Sequence, residues 1–163
     1  MSFSGQSPVQ IAWVTPNLDA TEGALSALLG VKKWIRLPNI HFGPDGCTYR
    51  GRPADFVADI ALSYAGNMQL ELIAPVSVES IYTEFLRDCG PGLHHICVET
   101  DDIEAALIEA TANGGEVVQR GTMPGGMEFG YVSAAQAGVP YLEIAQISPE
   151  IRQFYDYIKQ EQR

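Results

Sequence analysis

Four polar side chains stand at equivalent places in two similar stretches of the sequence, each among apolar neighbours. Gln10 corresponds to His95, and Glu71 corresponds to Glu143. An ionised carboxylate between apolar strand residues is costly unless it is paired or bound to a metal ion. Imidazole nitrogen and carboxylate oxygen suit Zn²⁺, Ni²⁺, Co²⁺, Mn²⁺ or Fe²⁺, so the four residues indicate one metal site. The alternative is that both glutamates point to solvent on half-exposed strands.

The equivalence comes from an internal repeat. Residues 11–18 align with residues 96–103, and residues 70–73 align with residues 142–145. Each copy contains a strand, a helix that ends at glycine, and then further strands, which is a βαβββ order. Each unit alone would expose the apolar face of its sheet, so we expect the two units to pack together.

Four segments have the capping residues and apolar periodicity of helices. The first follows Asn17, the second spans about 77–89, the third opens at 101–104, and the last begins at Ser148-Pro149. We expect the last helix to bury its apolar stripe on its own repeat unit, with a homodimer contact as the alternative. The stripe consists of Ile151, Phe154, Tyr155 and Ile158.

Seven segments have the composition of strands, and residues 65–67 predict a hairpin turn between the second and the third. The segments are 8–14, 57–64, 68–74, 93–99, 116–120, 128–133 and 139–145. The stretch 37–52 is rich in Pro and Gly and is either a long loop or an irregular strand. Because successive strand residues face opposite ways, we expect only one of His94 and His95 to enter a site.

The composition excludes several classes of protein. A formal net charge of −10 over 163 residues argues against nucleic-acid binding, which needs a basic face. No apolar run approaches the roughly 20 residues that cross a bilayer, and the first residues do not have the pattern of a secretory signal. The odd number of cysteines lacks metal-type spacing, so we expect a reducing, cytoplasmic location.

Half of the ten basic residues lie between positions 32 and 52, where Asp45 is the only acid. They are Lys32, Lys33, Arg36, Arg50 and Arg52. This charge pattern has two interpretations, a solvated loop or a site that binds an anionic part of a substrate.

Several motifs together resemble the vicinal-oxygen-chelate superfamily of glyoxalases, bleomycin-resistance proteins and dioxygenases. These are Gly92-Leu93-His94-His95-Ile96 and the acidic helix start at 101–107. Within the superfamily, the order and spacing of 71–75, 80–86 and 90–96 are most similar to those of methylmalonyl-CoA epimerases. The resemblance spans about residues 8–146 and is densest over 67–115.

The resemblance implies an α+β fold in which two βαβββ modules form a cupped mixed sheet, followed by a C-terminal helix. We therefore predict a single domain over 1–163, with module 1 at about 8–75, module 2 at about 92–146 and the helix at 148–162. It also implies a homodimer and one divalent metal ion (Zn, Ni, Co or Mn). The implied metal ligands are Gln10, Glu71, His95 and Glu143.

The sequence departs from the epimerase pattern at two places. The epimerases usually carry His at the first ligand position, where this chain has Gln10. A Gln-Glu-His-Glu set resembles zinc glyoxalase I of the eukaryotic type, but Val14 and Pro75 replace the side chains expected to bind glutathione. The epimerases also use a glutamate upstream of the second ligand as a base, and the candidates here are Asp55 and Asp59.

These observations favour metal-assisted proton transfer next to the carbonyl of a small anionic or thioester substrate, with an epimerase, isomerase or lyase outcome. The cation would act as a Lewis acid, and a carboxylate would move the proton. Glu143 is the first candidate for that carboxylate, and Asp55 and Glu71 are the alternatives. The five basic residues between 32 and 52 would hold an anionic tail.

Two other functions remain open. A non-catalytic member of the same fold would sequester a small molecule in the cup. Its pocket would be lined by aromatic side chains, namely Trp13, Trp34, Tyr49, Phe56 and Tyr131. A ring-cleaving dioxygenase is least favoured, because it needs two histidines and one carboxylate and Gln10 removes one histidine.

Overall fold

The computed structural model describes residues 6–163; residues 1–5, which the domain prediction includes, lie outside the described residues. The described part contains four α-helices and ten strands, and none of these helices is both long and apolar enough to cross a membrane. The helices are α1 (Leu18–Leu29), α2 (Ile81–Cys89), α3 (Ile103–Ala112) and α4 (Pro149–Gln160), with a 3₁₀ turn at Ala135–Ala137. The strands are β1 (Gln10–Val14), β2 (Ile35–Phe42), β3 (Thr48–Tyr49), β4 (Arg52–Pro53), β5 (Phe56–Ala65), β6 (Met68–Ser77), β7 (Gly92–Glu99), β8 (Val117–Thr122), β9 (Glu128–Ser133) and β10 (Tyr141–Gln146).

All ten strands form one mixed sheet in the order β2-β5-β6-β1-β7-β10-β9-β8-β3-β4. The two repeat units meet at its centre, where β1 and β7 pair antiparallel. Within the units, β1 runs parallel to β6 and β7 runs parallel to β10. The sheet curls into a half-barrel, which confirms the predicted α+β fold with a cupped sheet and a C-terminal helix.

Helix starts occur where side chains satisfy free backbone N–H groups. The side chain of Asn17 accepts a hydrogen bond from Ala20 N, and Asp102 accepts one from Ala105 N at the equivalent place in the second unit. Helix α2 begins later than predicted because β6 continues to Ser77 and Ser80 forms the capping box.

The stretch from 37 to 52 forms strands as well as loop. Strand β2 pairs antiparallel with β5 as far as Phe42, and its register shifts between Leu37 and Ile40. Asn39 lies in that shift with a φ of 53°, a backbone conformation that asparagine tolerates better than most residues. The irregular-strand alternative is therefore correct for the first part of this stretch.

The helices cover the two faces of the sheet differently. Helices α1 and α3 pack on the outer, convex face, against Leu72 and Ile144 respectively. Helix α4 lies on the inner face, where Tyr155 and Ile158 share a core cluster with Leu62 of β5. The expectation that α4 packs on its own unit holds for part of the helix, since the hydroxyl of Tyr155 donates to Met127 Sδ of the second unit. The two units form one continuous inner surface through the β1–β7 pair, so α4 crosses onto the first unit.

Candidate metal centre

The four polar residues at equivalent repeat positions meet on the inner face of the sheet. The four central strands, β6, β1, β7 and β10, each contribute one residue. His95 Nε2 lies 3.2 Å from Gln10 Oε1, 3.4 Å from Glu71 Oε1 and 3.6 Å from Glu143 Oε2. The ligand atoms of the two glutamates and the histidine all lie within 4.8 Å of one another.

The cluster is almost completely buried. His95 is fully buried, and Gln10, Glu71 and Glu143 are each no more than 8% exposed. Among the described residues, His95 is the only basic side chain within ion-pair distance of either glutamate. Two buried carboxylates that share one neutral imidazole carry a large desolvation cost, which a bound cation would relieve.

Burial shifts the protonation equilibria of all three titratable groups. It raises the pKa of Glu71 to about 8 and also raises the pKa of Glu143, although the neighbouring His95 opposes the second shift. Burial lowers the pKa of His95 to about 4, with Glu143 acting in the opposite direction. At neutral pH the imidazole is therefore neutral and retains a nitrogen lone pair, as a metal ligand requires.

The amide of Gln10 is oriented by a chain of hydrogen bonds. Gln10 Nε2 donates to Gln69 Oε1 at 2.6 Å, and Gln69 Nε2 donates to the hydroxyl of Tyr64 at 3.2 Å. This arrangement turns Gln10 Oε1 toward His95 and the centre. Gln69 was missed in the sequence, although it precedes Glu71 by two residues and therefore faces the same side of β6.

As expected, only one of the two adjacent histidines, His95, contributes a nitrogen to the cluster, although His94 lies on the same side of the sheet. In the β1–β7 pair, His95 lies opposite Ala12 and Leu93 lies opposite Trp13, so His94 is the extra residue of a β-bulge. The bulge brings both rings to the inner side, with their Nδ1 atoms 2.9 Å apart.

This contact links the positions of the ring protons on the two histidines. If His95 keeps a lone pair on Nε2, its Nδ1–H donates to His94 Nδ1, and His94 carries its own proton on Nε2. That nitrogen is buried and has no hydrogen-bond partner in the described part of the chain. Its surroundings are the aromatic rings of Tyr82, Phe85 and Tyr141.

Two further side chains contact the carboxylate of Glu143. Tyr131 and Cys97 lie beside it, and both lower its pKa. Tyr131 lies directly opposite Glu143 in the β9–β10 pair, and its hydroxyl is 2.7 Å from that of Tyr82.

A cavity of about 140 Å³ opens onto Gln10 and Glu143. Its opposite wall is helix α4, which contributes Arg152, Tyr155, Asp156 and Lys159. The guanidinium of Arg152 forms an ion pair with Glu99 of β7, which also lines the cavity.

The other predicted catalytic residues lie away from this cavity. Asp55 is exposed, and its Oδ1 is 2.5 Å from His41 Nε2. The carboxylate of Asp59 accepts a hydrogen bond of 2.7 Å from Asn39 N. Neither residue lines the cavity beside Gln10 and Glu143.

The five basic residues between 32 and 52 do not line this cavity either. Three of them form ion pairs: Lys33 with Glu161, Arg36 with Asp19 and Glu22, and Arg50 with Glu84. Lys32 and Arg52 are exposed. Their role in binding a substrate anion stays a prediction.

A family model described as the Glyoxalase/Bleomycin resistance protein/Dioxygenase superfamily matches residues 9–131, which is more than half of the chain. The protein therefore belongs to this superfamily, as its sequence motifs indicated.

Particular relatives are methylmalonyl-CoA epimerases. The mitochondrial enzyme of Mus musculus is 40% identical over 45 residues, which are 27% of this chain and 25% of the epimerase. The match thus spans about a quarter of the length of that curated relative.

Solved structures of such epimerases share the fold. The enzyme from Mycobacterium tuberculosis superposes with a TM-score of 0.65 at 18% identity, over 90% of this chain and 91% of that protein. The Streptomyces coelicolor enzyme in complex with 2-nitronate-propionyl-CoA superposes with a TM-score of 0.62 at 17% identity, over 88% and 99%.

Proposed function

We propose that this protein is a metal-dependent isomerase of the epimerase type, which moves a proton next to the carbonyl of a small acyl thioester. The observation that carries the proposal is the buried convergence of Glu71, His95 and Glu143 with the oriented amide of Gln10. The similarity to methylmalonyl-CoA epimerases supports the thioester as the substrate class.

The donor set fits a divalent cation. Ligands 2.0–2.2 Å from a tetrahedral ion lie about 3.3–3.6 Å from one another, and His95 Nε2 lies 3.2–3.6 Å from the three oxygens. Gln10 Oε1, His95 Nε2 and the two carboxylates would hold the ion. When bound, the ion supplies a Lewis acid that polarises the substrate carbonyl.

Glu143 is the favoured base because it lines the cavity through which a substrate reaches the centre. Its raised pKa brings a carboxylate closer to the operating pH, where a group can both accept and return a proton. Asp55 is less favoured, since its carboxylate is exposed and is bound to His41 outside the cavity.

The surrounding residues keep the carboxylate of Glu143 buried. Tyr131 lies directly opposite Glu143 in the β9–β10 pair, and Cys97 lines the same cavity as Glu143. Tyr155 of α4 closes the cavity from above. A water-poor site strengthens every electrostatic interaction with the developing negative charge of an enolate.

The test combines metal content with proton exchange. We would purify the wild type, Glu143→Gln and the control Glu116→Gln, an exposed glutamate, and determine bound metal per chain by elemental analysis. We expect about one equivalent in the wild type and the control and a strong loss in Glu143→Gln. Solvent deuterium uptake into methylmalonyl-CoA and other 2-substituted acyl thioesters would be measured by mass spectrometry.

Each outcome decides a separate part of the proposal. A wild type that stays empty when zinc, nickel, cobalt and manganese are supplied would exclude the metal centre. A loaded protein that exchanges no substrate proton would favour the binding protein of the same fold over the isomerase.

A further inference from the structure

Helix α4 covers the candidate metal centre. Its residues Ile151, Tyr155 and Ile158 are buried against the inner face of the sheet. Tyr155 also lines the cavity that opens onto Gln10 and Glu143. The helix lies beyond the region matched by the superfamily model, which ends at residue 131.

The C-terminal end of α4 is held by polar contacts of Glu161 and Gln162 with Lys32 and Lys33, here termed the latch. Gln162 Oε1 accepts hydrogen bonds from the backbone N–H groups of Lys32 and Lys33, at 3.3 and 3.1 Å, and Gln162 Nε2 donates to Lys33 O at 2.8 Å. Lys33 Nζ also pairs with Glu161 Oε1 at 2.6 Å. The latch is exposed, so water can compete for each of its contacts.

The other end of the helix has the features of a pivot. Ser148 is extended, with φ −72° and ψ 158°, and caps the helix by accepting from Ile151 N. Its hydroxyl donates to Gly125 O at 2.7 Å, which ties this end to the β8–β9 connection. Between pivot and latch, the ion-pair contact of α4 with the sheet is Arg152 with Glu99.

The packing beneath the helix is incomplete on both of its sides. The polar cavity of about 140 Å³ lies on one side, and a mostly apolar cavity of about 370 Å³ lies on the other. Tyr155 lines both of them. A helix with cavities on two sides makes fewer contacts than a close-packed core helix and opens at lower cost.

We propose that α4 is a hinged cover that turns about Ser148 when the latch opens and so controls which molecules reach Gln10 and Glu143. A cavity of about 140 Å³ holds roughly ten water molecules, so a bulkier substrate requires the helix to move. This consequence for substrate size rests on the proposed function, whereas the motion itself does not.

Cys97 reports on the cover directly. Its side chain is 3% exposed and lines the polar cavity beneath Tyr155. Cys47 is equally buried but contacts Thr122 of β8 and lies outside that cavity, so it reports on general loosening of the fold. Cys89 is exposed and reacts first in every variant.

The experiment measures N-ethylmaleimide labelling of each cysteine by peptide mass spectrometry, in the presence of EDTA. The double variant Glu161→Ala/Gln162→Ala removes the side chains of the latch. The matched control is Gln153→Ala, at an exposed position of the same helix outside the latch. We expect Cys97 to react about tenfold faster in the double variant, which corresponds to about 1.4 kcal/mol, with Cys47 unchanged.

An unchanged rate at Cys97 would overturn the proposal. Equal acceleration of Cys97 and Cys47 would also overturn it, because that result shows general destabilisation. Labelling needs neither metal nor turnover, so failure of the cover and failure of the metal centre are seen separately.

Discussion

The two repeat units use their inner faces alike and their outer faces differently. On the inner face, equivalent positions of both units point at one centre. On the outer face, α3 is buried along its length through Ile103 and Leu107, whereas Leu18 is the buried residue of α1. Leu28 of α1 is 80% exposed. The strands of both units thus converge on one centre, while the two outer helices bury different amounts of apolar side chain.

The largest expected effect concerns the two equivalent glutamates. With saturating metal, Glu143→Gln should slow substrate deuterium exchange by about 10²–10⁴-fold, the usual contribution of general acid–base catalysis. Glu71→Gln removes only a ligand, so saturating metal should restore much of its rate. The measurement is kcat for exchange in both variants. Equal losses of kcat would contradict the assignment of Glu143 as the base.

The second effect is a difference in stability between variants of the two outer helices, α3 and α1. Leu107→Ala should destabilise the protein by about 2–5 kcal/mol, because Leu107 is buried against β9. The packing is so close that a Cβ at Gly130 would lie 2.7 Å from Leu107 Cδ2. Leu28→Ala should change stability by less than about 0.5 kcal/mol. Urea unfolding of the two variants checks this difference, and similar losses would contradict it.

A pH effect distinguishes the metal-free from the metal-bound protein. The pKa of Glu71 is about 8 when folded and 4.5 ordinarily, so its stabilising contribution is present below pH 4.5 and is lost as pH rises to 8. Glu143 acts in the same direction. His95, with a folded pKa of about 4 and an ordinary pKa of 6.5, acts in the opposite direction, and this opposing contribution is nearly complete above about pH 7.5.

Metal-free protein should therefore lose about 1–2 kcal/mol of unfolding free energy between pH 6.5 and 8. Urea unfolding in EDTA at both values measures this loss. Glu71→Gln should flatten the slope, since it removes the titrating group. A wild type that is more stable at pH 8 than at pH 6.5 would contradict the expected protonation of Glu71.

The site residues that follow the internal repeat could be predicted from the sequence. Apolar alternation and the repeat brought Gln10, Glu71, His95 and Glu143 to equivalent positions, and the structure brings them together. Local caps, such as that at Asp102, likewise depend on residues close in sequence.

Features that depend on irregular or distant contacts could not be predicted from the sequence. A β-bulge at His94 interrupts the alternation of side chains between the two faces of β7, and no residue type in the sequence indicates this bulge. The position of α4 depends on a surface that exists only after both units have joined. Arg50 and Lys33 form a basic cluster in sequence, yet their partners, Glu84 and Glu161, lie far along the chain.

The smallest effects compare how the first ligand of each unit is oriented. His94→Phe removes the acceptor for His95 Nδ1–H, and Gln69→Leu removes the acceptor that holds the Gln10 amide. Each change should weaken metal binding by about tenfold, as is usual for residues that orient ligands. Chelator competition gives the Kd, with Leu93→Ala as the control, since Leu93 is 54% exposed on β7.

A second substitution makes the comparison sharper. Gln10→His in the Gln69→Leu background should restore the affinity, because the lone pair of an imidazole does not depend on the orientation of an amide. The same substitution should not rescue His94→Phe, whose defect lies at His95. If Gln69→Leu alone leaves the Kd unchanged, then Gln10 Oε1 does not bind the metal. The two units would then contribute unequally to the centre, with three ligands instead of four.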